Sequence, residues 1–147
     1  MRRLTLVLTL LMVSMLAACA GGPPKRVYPP QASVQELQVQ ADGSWLVKLR
    51  IRNFSTVPMR FSRLQATFTI GGHEAGRFDL DPGLAVGPGS AEVIEQRLAP
   101  APAARDAVAA AVASRQAVRY QLTGRLASSD PGTDDAFDYP SRLDPVP

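Results

Sequence analysis

Few residues in this chain are of types that do chemistry, and their spacing decides what each can do. His73 is the only histidine and Cys19 the only cysteine in 147 residues. His73 follows Gly71-Gly72 in what reads as a turn. Its neighbour Glu74 would point to the opposite face of a strand, so the two do not form an acid–base pair. No Ser-His-Asp arrangement around a nucleophile elbow is visible. Asp130, Asp134, Asp135 and Asp138 offer the oxygen ligands that calcium uses, but their spacing fits no EF-hand, and a solvated acidic loop is the simpler reading. Asn53-Phe54-Ser55 has the form of a glycosylation sequon; Asn53 is better placed to bond nearby backbone and fix a turn. Lys48, Arg50 and Arg52 form a cationic row on the outward side of one strand. Arg119 and Arg125 would lengthen it if their strand lay alongside. Such a row could meet lipid phosphates or an acidic partner; the other reading is a solvent or edge face kept soluble by charge. These residues converge on no catalytic, metal or cofactor site, and none is expected.

Cys19 has a context of its own. Arg2 and Arg3 form a basic start, Leu4 to Leu16 an apolar run, and Ala17 and Ala18 supply small residues before a cleavage point. The apolar run is too short for a comfortable membrane span. Leu16-Ala17-Ala18-Cys19 resembles the lipobox of bacterial lipoproteins. The resemblance implies a diacylglyceryl group on the Cys19 sulfur, cleavage before Cys19 and acylation of the new amino terminus. Two or three acyl chains hold a protein on a membrane where one would let go. Ala20 follows, where aspartate would favour inner-membrane retention, so the resemblance implies an outer-membrane, periplasm-facing lipoprotein. One cysteine allows no intrachain disulfide. Setting Arg2 and Arg3 aside leaves 14 basic residues against 13 acidic, a formal +1, which gives no reason to expect nucleic acid as a partner.

Positioning these residues falls to strands. Trp45, Val47, Leu49 and Ile51 alternate with Leu46, Lys48, Arg50 and Arg52, the period of a half-buried strand. Leu64, Ala66, Phe68 and Ile70 repeat the pattern against Arg63, Gln65, Thr67 and Thr69. A polar, Pro-ended link (Asn53 to Pro58) joins them, as in the core of a β-sandwich. Val34, Leu37 and Val39 change parity once, which requires a bulge. Further strands are expected at Glu74 to Leu80, Ala91 to Leu98, Val118 to Leu126 and Ala136 to Tyr139, about seven in all. Gly124 stands at an inward place and implies a close backbone approach. Pro102 opens an alanine-rich helix whose Val108 and Val112 share a face. Ser128 to Asp135 reads as a polar loop and Pro140 to Pro147 as a loose tail. Gly21 to Pro30, with Pro23-Pro24 and Pro29-Pro30, reads as a tether reaching about 30 Å at roughly 3.1 Å per residue. The expected division is a signal peptide over 1–18, lipidated cysteine and tether over 19–32, a sandwich over 33–142 and a tail over 143–147.

The order of these elements resembles the late embryogenesis abundant type 2 family, also called the water stress and hypersensitive response domain. The likeness rests on Leu49-Arg50-Ile51-Arg52-Asn53, Pro58, Phe68-Thr69-Ile70-Gly71-Gly72, Pro88-Gly89, the alanine-rich helix and Tyr120-Gln121-Leu122-Thr123-Gly124-Arg125-Leu126. Where the family often has Asn-Pro-Asn, this chain has Asn53-Phe54-Ser55. The resemblance implies an immunoglobulin-like or fibronectin-like sandwich with a helix and a non-enzymatic role tied to desiccation or other stress. The alternative is an accessory lipoprotein that docks an envelope protein or an anionic lipid.

Overall fold

The computed structural model describes residues 21–145. Eight strands and one helix among them build an all-β sandwich of two antiparallel sheets. The strands are β1 (Gln31–Val39), β2 (Trp45–Arg52), β3 (Met59–Ile70), β4 (His73–Leu80), β5 (Leu84–Val86), β6 (Ala91–Leu98), β7 (Val118–Asp130) and β8 (Gly132–Leu143). The helix, α1, spans Pro102–Ser114. One sheet has the order β1-β2-β6 and the other β4-β3-β7-β8, with β5 also paired to β3. The two alternating runs that dominate the sequence therefore lie in opposite sheets. Their buried faces, Trp45 to Ile51 and Leu64 to Ile70, meet in the core.

Phe68 sits at the centre of that core. Its ring lies 6.3 Å from Trp45 and 6.0 Å from Tyr120, both edge-on, and 6.2 Å from Phe78 in a stacked arrangement. Such offset and edge-to-face contacts add to the gain from removing apolar area from water. The required bulge in β1 falls at Gln35, between Val34 and Glu36. Gly124 lies where β7 crosses close to β3: a Cβ there would stand 1.9 Å from the Gln65 carbonyl oxygen and 2.7 Å from the Ala66 Cα.

Several boundaries differ from expectation. Leu84–Val86 is an extra strand between two Pro-Gly turns. In β4, Ala75 and Phe78 are both buried, because a register shift opposite Phe68 and Thr69 makes Ala75 the extra residue. The expected loop at 128–135 is strand on both sides of a tight turn, and the strand expected at Ala136 to Tyr139 extends to Leu143. Pro140 is tolerated there because β8 is an edge strand. On α1 the inward face holds Ala104 and Val108, while Val112 is 53% exposed. The helix packs close at Gly71, where a Cβ would stand 2.6 Å from that of Ala107, and Gly71 also takes φ +59 in the β3–β4 turn. Both conditions call for glycine.

Two of the sheet edges, β8 and β6, carry polar residues on their core side. On β8, Asp135 lies opposite inward-facing Leu126; on β6, Glu92 and Gln96 lie opposite inward-facing Ile51 and Val47. Polar side chains on the core side of an edge strand discourage another strand from adding there.

Candidate functional site

The most constructed polar site is at the end of the sandwich where the chain crosses between sheets. It crosses from β2 to β3 through Asn53 to Pro58, and back from β5 to β6 through Gly87 to Ser90. Asn53 is fully buried and joins both crossings. Its Nδ2 donates to the Val57 carbonyl at 2.8 Å, Val86 at 3.0 Å and Gly87 at 3.1 Å. Its Oδ1 accepts from the Ser55 N–H at 2.8 Å, and its own N–H donates to the Ser90 carbonyl at 2.9 Å. An amide is the side chain that can donate twice and accept at one buried point.

Ser55 and Thr56, beside it, hold the segment before β1. The Tyr28 N–H donates to Ser55 Oγ at 2.8 Å, and Ser55 Oγ donates to the Tyr28 carbonyl at 3.2 Å. The Arg26 N–H donates to Thr56 Oγ1 at 2.8 Å, that hydroxyl donates to the Pro24 carbonyl at 2.9 Å, and the Thr56 N–H donates to the Arg26 carbonyl at 2.9 Å. The segment expected to be a free tether over Gly21 to Pro30 is thus a strap from Pro24 to Tyr28, and Pro30 is buried. The local sequence gives no sign of this, because the partners lie 27 to 32 residues away. Cys19 lies outside the described residues.

The cationic row is on β2, the central strand of its sheet and not an edge. Lys48 Nζ donates to Glu36 Oε2 at 2.7 Å, and this bond raises the lysine pKa and lowers that of the carboxylate. Arg52 lies over the Phe54 ring, 4.7 Å from its centre, a cation–π contact. Arg50 is exposed beside Ser33 and Val93, and Val93 is 42% exposed. Arg119 and Arg125 do not extend the row. They are on β7 in the other sheet, where Arg125 Nε donates to Asp134 at 3.1 Å.

The outward face of the five-stranded sheet carries paired charges. Arg63 grips Asp79 with two bonds, at 3.0 and 2.9 Å, and lowers the pKa of that carboxyl from its ordinary value. Arg77 pairs with Glu74. Gln121 and Thr123 donate to Asp138 at 2.7 and 3.3 Å. A shallow depression of about 380 Å³ between Thr67, Arg77, Asp79, Thr123 and Arg125 lies over Gly124. The acidic residues expected to crowd one loop are spread along β7 and β8, and Asp134 and Asp138 are engaged separately. No group of three or more metal-ligating side chains is found among the described residues. His73 is exposed at the start of β4. Among the described residues, no helix is long and apolar enough to cross a membrane.

No known family's sequence profile matches the chain, and no curated protein matches it. Solved structures do. A protein of Arabidopsis thaliana solved in solution is similar at 16% identity, with TM-score 0.51, over 86% of this chain and 84% of that one. An Archaeoglobus fulgidus protein is similar at 16% identity, with TM-score 0.41, over 82% and 98%. A protein provisionally assigned to the late embryogenesis abundant group is similar at 12% identity, with TM-score 0.42, over 99% and 87%. The first of these shares the sandwich fold with this chain.

Proposed function

We propose that this chain is a lipid-anchored domain on the periplasmic side of the outer membrane that protects its surroundings under water stress and catalyses no reaction. The carrying observation is the charge-paired outward face of the five-stranded sheet, where Arg63–Asp79, Arg77–Glu74 and Arg125–Asp134 neutralise one another. A face of this kind presents many weak polar contacts and no single strong one, since exposed pairs contribute little individually. It suits general shielding when water is withdrawn. The sequence resemblance to the water stress family supports the role, and the lipobox resemblance supports the anchor. Drying a test enzyme with and without the protein and measuring recovered activity after rehydration tests this reading. Protection that persists when Arg63 and Arg125 are replaced one at a time supports it; absence of protection by the wild type overturns it.

Exposed Arg50 beside exposed Val93 favours a second reading, a docked envelope protein or anionic lipid on the three-stranded sheet. Changing Lys48, Arg50 and Arg52 together to glutamate reverses the row without touching the core. Loss of a salt-sensitive interaction in that variant, with protection absent in the wild type, would select this reading.

A further inference from the structure

The strap fixes where the chain leaves the domain. Bonds from Ser55 and Thr56 hold Pro24, Arg26 and Tyr28 against the crossing end. Cys19 stands five residues before Pro24, so at full extension the cysteine lies within about 15–18 Å of the strap. The same end exposes three large apolar side chains: Val27 at 47%, Tyr28 at 43% and Phe54 at 40%. Lys25, Arg26 and Arg52 lie among them, and none of the three enters an ion pair among the described residues. At this end Glu92 lies opposite Ile51 and Asp130 opposite Arg60 in register, and neither forms an ion pair with Lys25, Arg26 or Arg52.

We propose that this end is a membrane-docking surface whose occupant is the bilayer carrying the anchor. Phe54, Val27 and Tyr28 enter the headgroup region, and Arg26 and Arg52 meet anionic headgroups. The proposal rests on the reading that Cys19 is lipidated. It adds that the domain lies on the membrane in one orientation and does not swing freely on a tether. Amphipathic surfaces of aromatic and basic residues bind interfaces in this way, and each basic residue near an anionic leaflet adds to the attraction. An aromatic ring stacked under a guanidinium presents both features at one point.

The test uses the full-length protein, processed in its host, purified and placed in vesicles of phosphatidylethanolamine and phosphatidylglycerol. In variants Phe54→Cys and Val112→Cys, with Cys19 retained and blocked by acylation, the introduced thiol carries an environment-sensitive probe, and lipids bearing nitroxide quench it. Position 112 is on α1, at the opposite end. Quenching several-fold stronger at 54 than at 112, reduced by Arg26→Glu together with Arg52→Glu, is the expected result. Acylated protein with equal quenching at the two positions overturns the docking and leaves the anchor standing. A probe at 54 that is shielded from water yet unquenched by lipid places a protein or a second copy there and also overturns it. An intact mass lacking acyl chains overturns the anchor reading, and this inference with it.

Discussion

The Tyr120 hydroxyl bonds both backbone groups of Val34, accepting from its N–H at 3.2 Å and donating to its carbonyl at 3.0 Å. Tyr120 belongs to β7 and Val34 to β1, so one side chain ties the two sheets. Val34 immediately precedes the bulged residue Gln35, where β1 breaks its regular pairing with β2. The phenol supplies partners that an edge strand cannot find in its own sheet. Tyr120→Phe keeps the ring and removes the bonds, leaving two buried groups unpaired, and should cost about 1–3 kcal/mol in denaturant melts. Burial pushes the Tyr120 pKa above its ordinary 10.0, with the Val34 backbone acting in the opposite sense. A raised folded-state pKa means that the contribution is complete below the unfolded value near 10 and fades as pH climbs through the folded value. The wild type should therefore lose more stability than Tyr120→Phe across that alkaline range. Parallel curves would show that the phenol does not carry the linkage.

Phe68→Ala should cost about 3–5 kcal/mol, because it empties the site where Trp45, Phe78 and Tyr120 converge. Arg50→Ala, on the outward side of β2, should cost well under about 1 kcal/mol. Urea melts of the pair measure the contrast, and equal losses would contradict the assignment of faces.

Asn53→Ala leaves three carbonyls and one N–H at the two crossings without their side-chain partner. We expect a loss of about 2–4 kcal/mol. Asn53→Asp places a carboxylate against the same carbonyls and should be at least as damaging at neutral pH, recovering as pH falls and the acid protonates. An Asp variant as stable as the wild type at pH 7 would show that the Nδ2 bonds are dispensable.

Gly124→Ala cannot be absorbed by a side-chain shift, because its Cβ would overlap the backbone of Gln65 and Ala66. Folding should fail, or stability should fall by about 3 kcal/mol or more. Gly132→Ala, with nothing within 4 Å, is the control and should change little. Circular dichroism and soluble yield distinguish the two.

Cys19→Ser removes the proposed acyl acceptor. Palmitate labelling should vanish and the domain should leave the membrane fraction. Full membrane retention of the unlabelled variant would show that something else holds it.

Much of the sandwich is legible because burial imposes a period of two. The run from Trp45 to Arg52 carries it cleanly, the parity change at Val34 and Leu37 announces the bulge, and Gly124 marks the close approach. Leu84–Val86 escapes detection because three residues between Pro-Gly turns cannot show a period. The last strand, rich in aspartate and containing Pro140, exists through its pairing with β7 and not through its own propensity. Ala75 shows no period-two break beforehand, since its bulge is set by the register with β3. At the candidate site, the cationic row was readable but its neighbours were not: whether Arg119 and Arg125 join it depends on sheet order, which alternation does not encode. The strap depends on bonds between distant residues, and proline-rich composition alone suggests free chain.

The inward carboxylate of Asp135 on the edge of β8 gains importance from the proposed anchoring. Molecules confined to a surface meet far more often than the same number in solution, as tethering raises effective concentration. If the domains also share one orientation, their edges meet side by side, the arrangement in which strands zip together. Asp135, with Glu92 and Gln96 on β6, makes an encounter at the β8 or β6 edge bury a polar group without a partner. In a crowded layer of these domains, the β8 and β6 edges would resist zipping together as the water between them thins.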